Sequence, residues 1–488
     1  MKFFAHTRGG RWPQALITLA ICLLPMLTAE HAAAAAAAPK YSPAPCLGDY
    51  TGIPQKIECG TLSVDETIGA SNRRRVVLPV AVVRAVHPRA ELPPVIFLHG
   101  GPGGSVIASL PGMLRGAIGS ELVAQDQDWI FFDQRGGKLT APELSCGDAA
   151  LNDTGPISDL SARQLAACGL RHTAAGVDLG SYNSAMVAHD VQDLRQALHL
   201  QRFDVFGVSY GTRVGFAVLT HAPQGVRVAV LDSVWSPEAT WTEGSPLVVS
   251  RAVALIFRLC SEDAACHAAY PDPAALLRKT AERFLAAPQT SASGQSYTAS
   301  DLGAFLMDAV YDPDGARSLP RDVAAIAGGD FSAIDGQAFT RGYAQAQHMA
   351  FLCKEEIPFE RREHVADGTA GDPVAQLTVA SLQRYFDVCP SYAVGRADPV
   401  EAKPVHSSVP TLFLAPEIDP GCPPEIAAAT AKLFAHGQLA QIPNVTHGAF
   451  RNSACARKLV RAYLRDPGAP PDLSCLHPEH DKFVFTLK

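Results

Sequence analysis

The feature that most constrains this chain is a glycine-flanked serine between an apolar run and a helix-like run. Gly207-Val208-Ser209-Tyr210-Gly211 follows the apolar residues 203–206 and precedes a helical pattern over 212–219. A strand, a sharp turn and a helix in this order are typical of a nucleophile elbow, whose crowded backbone requires glycine on both sides of the serine. The pattern therefore predicts that Ser209 is a nucleophile held above a sheet edge. The alternative is an ordinary glycine-rich turn.

A serine hydroxyl of ordinary acidity needs a histidine base and a carboxylate that orients the base, expected in the order serine, acid, histidine. Asp419 follows a strand-like run at 410–415, and His447 follows another at 439–442 and precedes a glycine. We expect His447 to accept the proton of Ser209 while Asp419 holds the imidazole. Asp232, after the run 228–231, is a rival acid, and the chain order favours Asp419.

Acyl transfer also needs donors for a developing oxyanion. A glycine-rich loop, His-Gly-Gly-Pro-Gly-Gly-Ser at 99–105, directly follows the strand-like run 95–98. The backbone N–H groups of Gly101 and Tyr210 are therefore the predicted oxyanion hole. Such loops also bind phosphate, but this one lacks both the Gly-x-Gly-x-x-Gly spacing and the Lys-Ser/Thr of a P-loop.

With these motifs, the sequence resembles the secreted tripeptidyl and prolyl aminopeptidases, which are serine exopeptidases of the α/β-hydrolase fold. The resemblance extends from about Cys46 to Cys475 and is weak in the middle. Its matching blocks are His-Gly-Gly-Pro-Gly-Gly-Ser at 99–105, Asp133-Gln134-Arg135-Gly136, Tyr182-Asn183-Ser184, the serine turn at 207–212, Leu231-Asp232-Ser233-Val234, Pro410-Thr411-Leu412, Asp419-Pro420, Pro423-Pro424-Glu425, His447-Gly448 and the segment from Cys455 to Cys475.

The chain departs from the family pattern in two loops. Gly137-Lys138-Leu139-Thr140 stands where Thr-Gly-x-Ser is usual, and Pro416 stands where glycine is usual. The resemblance implies an α/β fold, a mostly parallel central sheet flanked by helices, with an inserted helical cap domain. It also implies a peptide substrate with a free amino terminus, and the departures concern the loops that set substrate preference.

The composition supports a large folded body that acts on something other than nucleic acid. Hydrophobic residues make up 47% and charged residues 18% of the 488 positions, and the formal net charge is −7. An acidic chain without basic blocks argues against a nucleic-acid partner. The triad chemistry requires no cofactor, and the sequence has neither Cys-x-x-Cys nor His-x-x-x-His spacing, so no metal is expected.

The amino terminus has the pattern of a secretory signal peptide. Lys2, Arg8 and Arg11 precede an apolar stretch at 15–27, which is followed by an alanine tract at 32–38. The apolar stretch is short for a membrane span, and the alanines offer cleavage sites. We therefore predict a secreted or periplasmic protein with no membrane association after cleavage. An uncleaved anchor is the alternative.

Eleven cysteines remain once the predicted leader is removed, and in an exported protein this number indicates disulfides with one thiol left over. Sequence alone does not fix their connectivity. Nearest-neighbour pairing leaves Cys422 free and predicts the bridges Cys46–Cys59, Cys146–Cys168, Cys260–Cys266, Cys353–Cys389 and Cys455–Cys475. A thiol mechanism at Cys422 is disfavoured because no glycine turn or histidine accompanies it.

Strand-like runs stop near residue 235 and resume near 405, which predicts four segments. These are a signal peptide at 1–38, a first core part at 39–235, a helical cap at 236–404, and a second core part at 405–488 whose end is like the C-terminal segment of tripeptidyl aminopeptidases. Within the cap, apolar spacing predicts helices over 247–259, 273–285, 299–310 and 374–386. A cap inserted between strands would cover the carboxyl ends of the sheet, where such sheets bind ligands.

An enzyme that acts at amino termini must bind an ammonium group, for which buried carboxylates are the complement. The resembling family has a Cys-x-Glu-Asp block at the position of Cys353-Lys354-Glu355-Glu356, so Glu355 and Glu356 are the candidates. The alternative is a solvated, charged helix end, and Glu238 and Glu243 are the next candidates.

The sequence thus predicts an exported serine aminopeptidase that works through an acyl-enzyme. The first alternative is a secreted carboxylesterase with the same triad. The second is a non-catalytic, hydrolase-like binding protein.

Overall fold

The computed structural model describes residues 39–69, 74–147, 159–335, 343–477 and 482–488. The predicted signal peptide lies outside these ranges. Nine strands of the described residues form one sheet in the order β1-β2-β3-β5-β4-β6-β7-β10-β11. They are β1 (Lys40–Pro43), β2 (Ile57–Asp65), β3 (Arg75–Val83), β4 (Val95–Leu98), β5 (Trp129–Phe132), β6 (Phe203–Val208), β7 (Val226–Asp232), β10 (Thr411–Pro416) and β11 (Gly437–Ile442).

The first three strand pairs of this order, β1–β2, β2–β3 and β3–β5, are antiparallel, and the remaining pairs are parallel. The parallel strands β4, β6 and β10 are buried at every residue. Continuous burial requires cover on both faces, which explains why these strands read as nearly continuous apolar runs, interrupted within β6 by the buried Asp204. The carboxyl ends of β4, β6, β7, β10 and β11 therefore meet at one edge.

Successive residues of the central strands pack into two different apolar cores, one on each face of the sheet. Phe97 and Phe206 belong to one apolar core and Leu98 and Val205 to the other, as the two-residue period of a strand demands. The helices before β7 are α1 (Val106–Arg115), α2 (Ala117–Glu121), α3 (Asp159–Ala174), α4 (Ser184–Ala197) and α5 (Tyr210–His221). Those after β10 are α14 (Pro424–Ala431), α15 (Ala449–Asn452) and α16 (Ala454–Arg465).

Residues between β7 and β10 are mainly helical and have an apolar core of their own. The α-helices here are α6 (Trp241–Glu262), α7 (Ala264–Ala269), α8 (Pro273–Ala286), α9 (Ala299–Tyr311), α10 (Pro313–Ala327), α11 (Ser332–Asp335), α12 (Gln345–Phe351) and α13 (Pro373–Val388). All four helices predicted in this stretch are present. A small hairpin, β8 (Gln289–Thr290) with β9 (Ser296–Tyr297), was missed because two-residue strands carry no periodicity.

Helix α6 is the one helix of the described ranges that is long and apolar enough to cross a membrane, by length and composition only. Val249, Val253 and Ile256 of α6 pack inside the helical core. Ile418, which precedes Asp419, is fully buried in the same core. Arg251 of α6 also donates to the carbonyl of Glu417 at 2.9 Å. The helical stretch thus contacts the loop that carries Asp419.

The disulfide prediction is confirmed for all five pairs. The bridges are Cys46–Cys59, Cys146–Cys168, Cys260–Cys266, Cys353–Cys389 and Cys455–Cys475. Among the described cysteines, Cys422 alone is free, and it is buried.

Candidate active site

The turn around Ser209 has the geometry that its glycines require. Ser209 has φ +59°, a region that side chains rarely adopt. A Cβ at Gly211 would lie 1.9 Å from the Leu98 carbonyl oxygen, and one at Gly207 would lie 2.4 Å from the Gly211 oxygen. Both contacts are far below van der Waals distance, so the strand and the helix can meet this closely only at glycine. Helix α5 then begins directly after Ser209, which is half-buried.

Asp419 and His447 form a hydrogen-bonded pair. His447 Nδ1 lies 2.9 Å from both carboxylate oxygens of Asp419. The Asp419 Oδ1 atom also accepts from the backbone N–H groups of Gly421 at 3.0 Å and Cys422 at 2.8 Å. These donors fix the carboxylate, which is fully buried, whereas the His447 side chain is 15% exposed. The imidazole is therefore oriented by Nδ1, with Nε2 left for a reaction partner.

Asp232, the rival acid, contacts the backbone instead of the imidazole. Its Oδ1 accepts from Ala449 N–H at 3.0 Å and its Oδ2 from Phe450 N–H at 2.8 Å. Its backbone carbonyl accepts from Ser209 N–H at 2.9 Å. Burial raises the pKa of this carboxyl to about 6, and the two N–H donors oppose the shift. Asp232 thus ties the turn of Ser209 to the helix that follows His447.

The glycine-rich loop after β4 lies against Ser209. A Cβ at Gly100 would lie 2.9 Å from Ser209 Cβ and 3.4 Å from its Oγ. Gly101 has φ +121°, and Tyr210 is the first residue of α5. Among the described residues, neither the Gly101 N–H nor the Tyr210 N–H has a hydrogen-bond partner. For Tyr210 this is expected, because the first N–H groups of a helix have no partner within the helix. Both are therefore available to an oxyanion.

His99 and Asp133 fix the two ends of this loop. His99 Nδ1 lies 2.7 Å from the Gly100 carbonyl, and the Gln134 N–H donates to His99 Nε2 at 3.3 Å. Since Nε2 accepts, Nδ1 must carry the proton, and burial lowers the pKa of His99 accordingly. Asp133 accepts from Ser105 Oγ at 2.6 Å and from Ile107 N–H at 3.1 Å. The block at 133–136 thus supports the loop rather than the reacting atoms.

Two tyrosines of the helical stretch border the site, and the sequence analysis did not single them out. The Tyr311 ring meets the His447 ring edge-on with centroids 4.8 Å apart. Tyr343 lies over the glycine-rich loop, since Cβ atoms at Gly101 and Gly103 would each be 3.2 Å from its ring. Apolar ring contacts with both loops favour a site that excludes water.

Glu355 and Glu356 are buried, each 2% exposed. The alternative of a solvated helix end is therefore wrong. Both lie on a π-helical turn, Leu352–Glu356, which Cys353 bridges to Cys389. Short π-helical turns are frequent at functional sites.

One arginine, which the sequence analysis missed, faces both glutamates. Arg213 lies one helical turn after Ser209 on α5, with Nη1 2.7 Å from Glu356 Oε1 and Nε 3.5 Å from Glu355 Oε2. These oxygens are close to the charge but lack an aligned hydrogen-bond donor. Glu355 Oε1 accepts from Ser184 N–H at 2.6 Å. Two carboxylates share one guanidinium, so the group retains capacity for a second cation.

Burial disfavours the ionised forms of the carboxyl groups around Arg213. Burial raises the pKa of Glu356 to about 8, while the Arg213 guanidinium opposes the shift. Burial also raises the pKa of Glu355 and brings that of Glu401 to about 7. An acidic cluster with raised pKa values gains most from a bound cation, because the cation stabilises the ionised forms.

The two further candidates for amine binding differ in their surroundings. Glu243 accepts from Arg361 N–H at 2.6 Å and caps that turn. Glu238 is half-buried, with Oε2 lacking a hydrogen-bond partner among the described residues. Glu360, whose pKa burial raises to about 7, accepts from the N–H groups of Thr242 and Glu243 at the start of α6. Glu243 and Glu360 are thus engaged by backbone donors.

Among the described residues, one group of potential metal ligands has donor atoms close enough to hold a metal ion. It consists of Asp419, Cys422 and His447, whose donor atoms all lie within 4.8 Å of one another. The Asp419 carboxylate is already engaged by three N–H donors. Burial raises the pKa of the Cys422 thiol well above its ordinary value. A metal needs the thiolate, so the group is better described as a hydrogen-bonded acid–imidazole pair beside an inert thiol.

Two family models match the chain. The one described as "alpha/beta hydrolase fold" matches residues 93–252, and the one described as "TAP-like protein" matches residues 375–475. The first covers the glycine-rich loop and Ser209, and the second covers Asp419 and His447.

Curated relatives and solved structures are similar at low identity. Tripeptidyl aminopeptidase of Streptomyces lividans is 28% identical over 204 residues, 39% of this chain and 38% of that protein. The chain thus matches well under half the length of this relative. Serine protease Hip1 of Mycobacterium bovis is 24% identical over 464 residues, 86% of this chain and 87% of that protein. The proline iminopeptidase of Mycobacterium smegmatis is 14% identical with a TM-score of 0.39, over 83% of this chain and 98% of that one.

The matched ranges contain the glycine-flanked serine after β6 and the hydrogen-bonded acid and histidine after β10 and β11. The chain therefore has an α/β-hydrolase fold, and its segment 375–475 is similar to TAP-like proteins.

Proposed function

We propose that this protein is an exported serine aminopeptidase that releases one or a few residues from the free amino terminus of a peptide. Ser209 attacks the scissile carbonyl as His447 takes its proton, and Asp419 stabilises the resulting imidazolium. The N–H groups of Gly101 and Tyr210 stabilise the oxyanion, each worth roughly 3 kcal/mol of barrier. His447 then protonates the leaving amine, and water hydrolyses the acyl-enzyme.

The observation that carries the peptidase assignment over an esterase is the buried pair Glu355 and Glu356. An ester substrate has no cation, and an esterase gains nothing from two buried carboxylates that share one arginine. The free ammonium of a peptide substrate would supply the missing positive charge. The pair also lies close to the serine turn, because Glu355 binds Ser184 N–H and Ser184 Oγ donates to Tyr210 Oη at 3.3 Å.

We further propose that residues 236–404 form a cap that shapes the substrate pocket, between core parts at 39–235 and 405–488. Tyr311, Tyr343 and the two glutamates all come from this stretch, and each lies beside a core loop of the site. Export is supported by the five disulfides, which persist in oxidising compartments. The similarity to proteins named tripeptidyl aminopeptidase and serine protease supports a peptide as substrate.

Paired substrates test the assignment. Aminoacyl and tripeptidyl arylamides with a free amine should be hydrolysed, and their N-acetylated forms should be poor substrates. If only the N-acetylated forms or short acyl esters turn over, the aminopeptidase proposal fails, and turnover of the esters alone would identify an esterase. A fluorophosphonate probe should label the wild type and not Ser209→Ala, and absence of labelling in the wild type would favour the non-catalytic binding protein.

Mass spectrometry of a free-amine peptide library after incubation with the mature protein would give the number of residues released.

A further inference from the structure

Arg451 lies directly beside the proposed catalytic histidine. It follows His447 by four residues, and its backbone N–H donates to Gly448 at 3.0 Å. A Cβ at Gly448 would lie 3.6 Å from Arg451 Cδ and 3.8 Å from Cγ2 of Val208, the residue before Ser209. Gly448, which follows His447, thus lies near both the Arg451 stem and the residue before Ser209.

The guanidinium of Arg451 is exposed and lacks a carboxylate partner among the described residues. The arginines of the next helix differ. Arg457 pairs with Glu121 at 2.6 Å, and Arg461 and Arg465 both pair with Asp126 at 2.6 and 2.7 Å. In an acidic chain, one uncompensated cation beside the site is therefore a local exception.

The charge of Arg451 also acts on the side of the site that holds the glycine-rich loop. Burial raises the pKa of Tyr343, which lies over Gly101 and Gly103, and the Arg451 charge opposes that shift; burial lowers the pKa of His99 at the base of the loop, and the Arg451 charge adds to it. The guanidinium stands over the Phe450 ring at 5.6 Å from its centroid. Its field thus reaches the space between the histidine loop and the glycine-rich loop.

We infer that Arg451 binds the terminal carboxylate of a short leaving peptide. The inference rests on the proposed function. The general acid must donate its proton to the leaving amine, so the leaving peptide passes beside His447. Each further residue adds at most about 3.6 Å of chain, so a leaving fragment of one or two residues keeps its carboxylate near the histidine loop, which Arg451 follows directly in the chain. An arginine binds a carboxylate with two parallel hydrogen bonds.

The substrates would therefore be short peptides with a free carboxyl terminus. The Glu355–Glu356 pair would bind the ammonium at one end, and Arg451 would bind the carboxylate at the other. Such a site would select by chain length, because a longer leaving segment carries its carboxylate beyond Arg451.

The test uses peptides identical up to the scissile bond, with leaving fragments of one, two or six residues that end in a carboxylate or a carboxamide. The wild-type kcat/KM should favour the carboxylate roughly 5- to 10-fold for the short fragments, with no preference for the longest. Arg451→Gln should bring this ratio close to one, Arg451→Glu should invert it, and Arg451→Lys should retain part of it. Lys432→Gln removes an exposed cation at the end of α14 and should leave the ratio at its wild-type value.

A wild-type ratio near one, or a ratio that survives in Arg451→Gln, would overturn the inference while arylamide turnover still upholds the proposed function. Absence of turnover on arylamides and peptides alike would refute the proposed function and this inference together. Because the ratio compares two substrates of one variant, a general loss of activity or stability cancels from it.

Discussion

Replacement of Glu356 by glutamine tests the amine site most directly. The substitution keeps the side-chain shape and removes the charge 2.7 Å from Arg213. In the substrate complex, loss of a carboxylate that pairs with the buried ammonium should cost about 3–5 kcal/mol, as for other buried charge pairs. At pH 7 a carboxyl with a pKa of about 8 must first ionise, which costs about 1.4 kcal/mol. The net loss is about 1.6–3.6 kcal/mol, or roughly 15- to 450-fold in kcat/KM for a free-amine arylamide.

The pH dependence gives the sign of the effect. The raised pKa of Glu356 keeps it protonated below pH 8, so ammonium binding should strengthen as pH rises toward that value. The substrate amine loses its own proton at about pH 7.7–8.0, which ends the rise. A short acyl ester has no amine and reports the triad alone. We therefore expect Glu356→Gln to remove part of the rising limb for the arylamide and none of it for the ester.

At high pH, Glu356→Gln should lower activity on the arylamide but raise the stability of the fold. A carboxyl whose pKa is raised on folding contributes stability that is present below its unfolded pKa and is lost as pH rises through the folded value. Glu356→Gln stays neutral, so its thermal midpoint should exceed that of the wild type at pH 8 and match it at pH 5. A variant that loses both activity and stability at pH 8 would indicate misfolding instead of a lost binding group.

Glu360→Gln is the matched control. Glu360 is another buried glutamate, but it accepts from backbone N–H groups at the start of α6. At pH 5, where Glu360 is protonated and carries no charge that acts on Glu356, the variant loses an N–H acceptor and should lower stability without changing the preference for free-amine over N-acetylated substrate. If Glu356→Gln changes kcat/KM for the arylamide less than threefold at both pH 7 and pH 8, the amine-site argument fails.

Three further outcomes are expected. Asp419→Asn should lower kcat by roughly 10³- to 10⁴-fold with little change in KM, and steady-state kinetics that show a larger loss for Asp232→Asn would make Asp232 the triad acid. Asp232→Asn should cost about 1–3 kcal/mol of stability by urea unfolding, because its amide oxygen accepts from only one of the buried N–H groups of Ala449 and Phe450 and its NH2 faces the other. Gly211→Ala should fail to fold or lose more than about 3 kcal/mol, since its Cβ would meet the Leu98 carbonyl. Gly244→Ala, in α6 with open space around it, should raise stability by up to about 1 kcal/mol, and equal effects of the two alanines would contradict the steric argument.

The serine turn was predictable because its causes are local. The glycines at 207 and 211 are required by atoms a few residues away or on the adjacent strand β4, and apolar runs mark both strands. The five disulfides also followed from sequence proximity. The pairing of Asp419 with His447 needed only the chain order of the motif, and the backbone N–H donors to Asp419 come from its own loop.

The roles of Asp232 and Arg213 could not be read from the sequence. Asp232 ends a buried strand as a triad acid would, and only the approach of Ala449 and Phe450, more than 200 residues later, decides which donors it meets. Arg213 looks like any basic residue on an amphipathic helix. Its charge acquires meaning when the π-helical turn, about 140 residues further on, brings Glu356 to 2.7 Å.

The buried pair Glu355 and Glu356 shows why local sequence composition can fail to predict the environment of a binding site. Two adjacent glutamates after a lysine have the composition of a solvated helix end, since unpaired carboxylates are rarely buried. Here the Cys353–Cys389 bridge and Arg213 hold them inside, so long-range contacts offset a cost that their own segment cannot. Buried carboxylates of this kind are least stable when no cation is bound, and a bound cation stabilises their ionised forms. The position where composition predicts the environment least well is therefore the one that says most about the substrate.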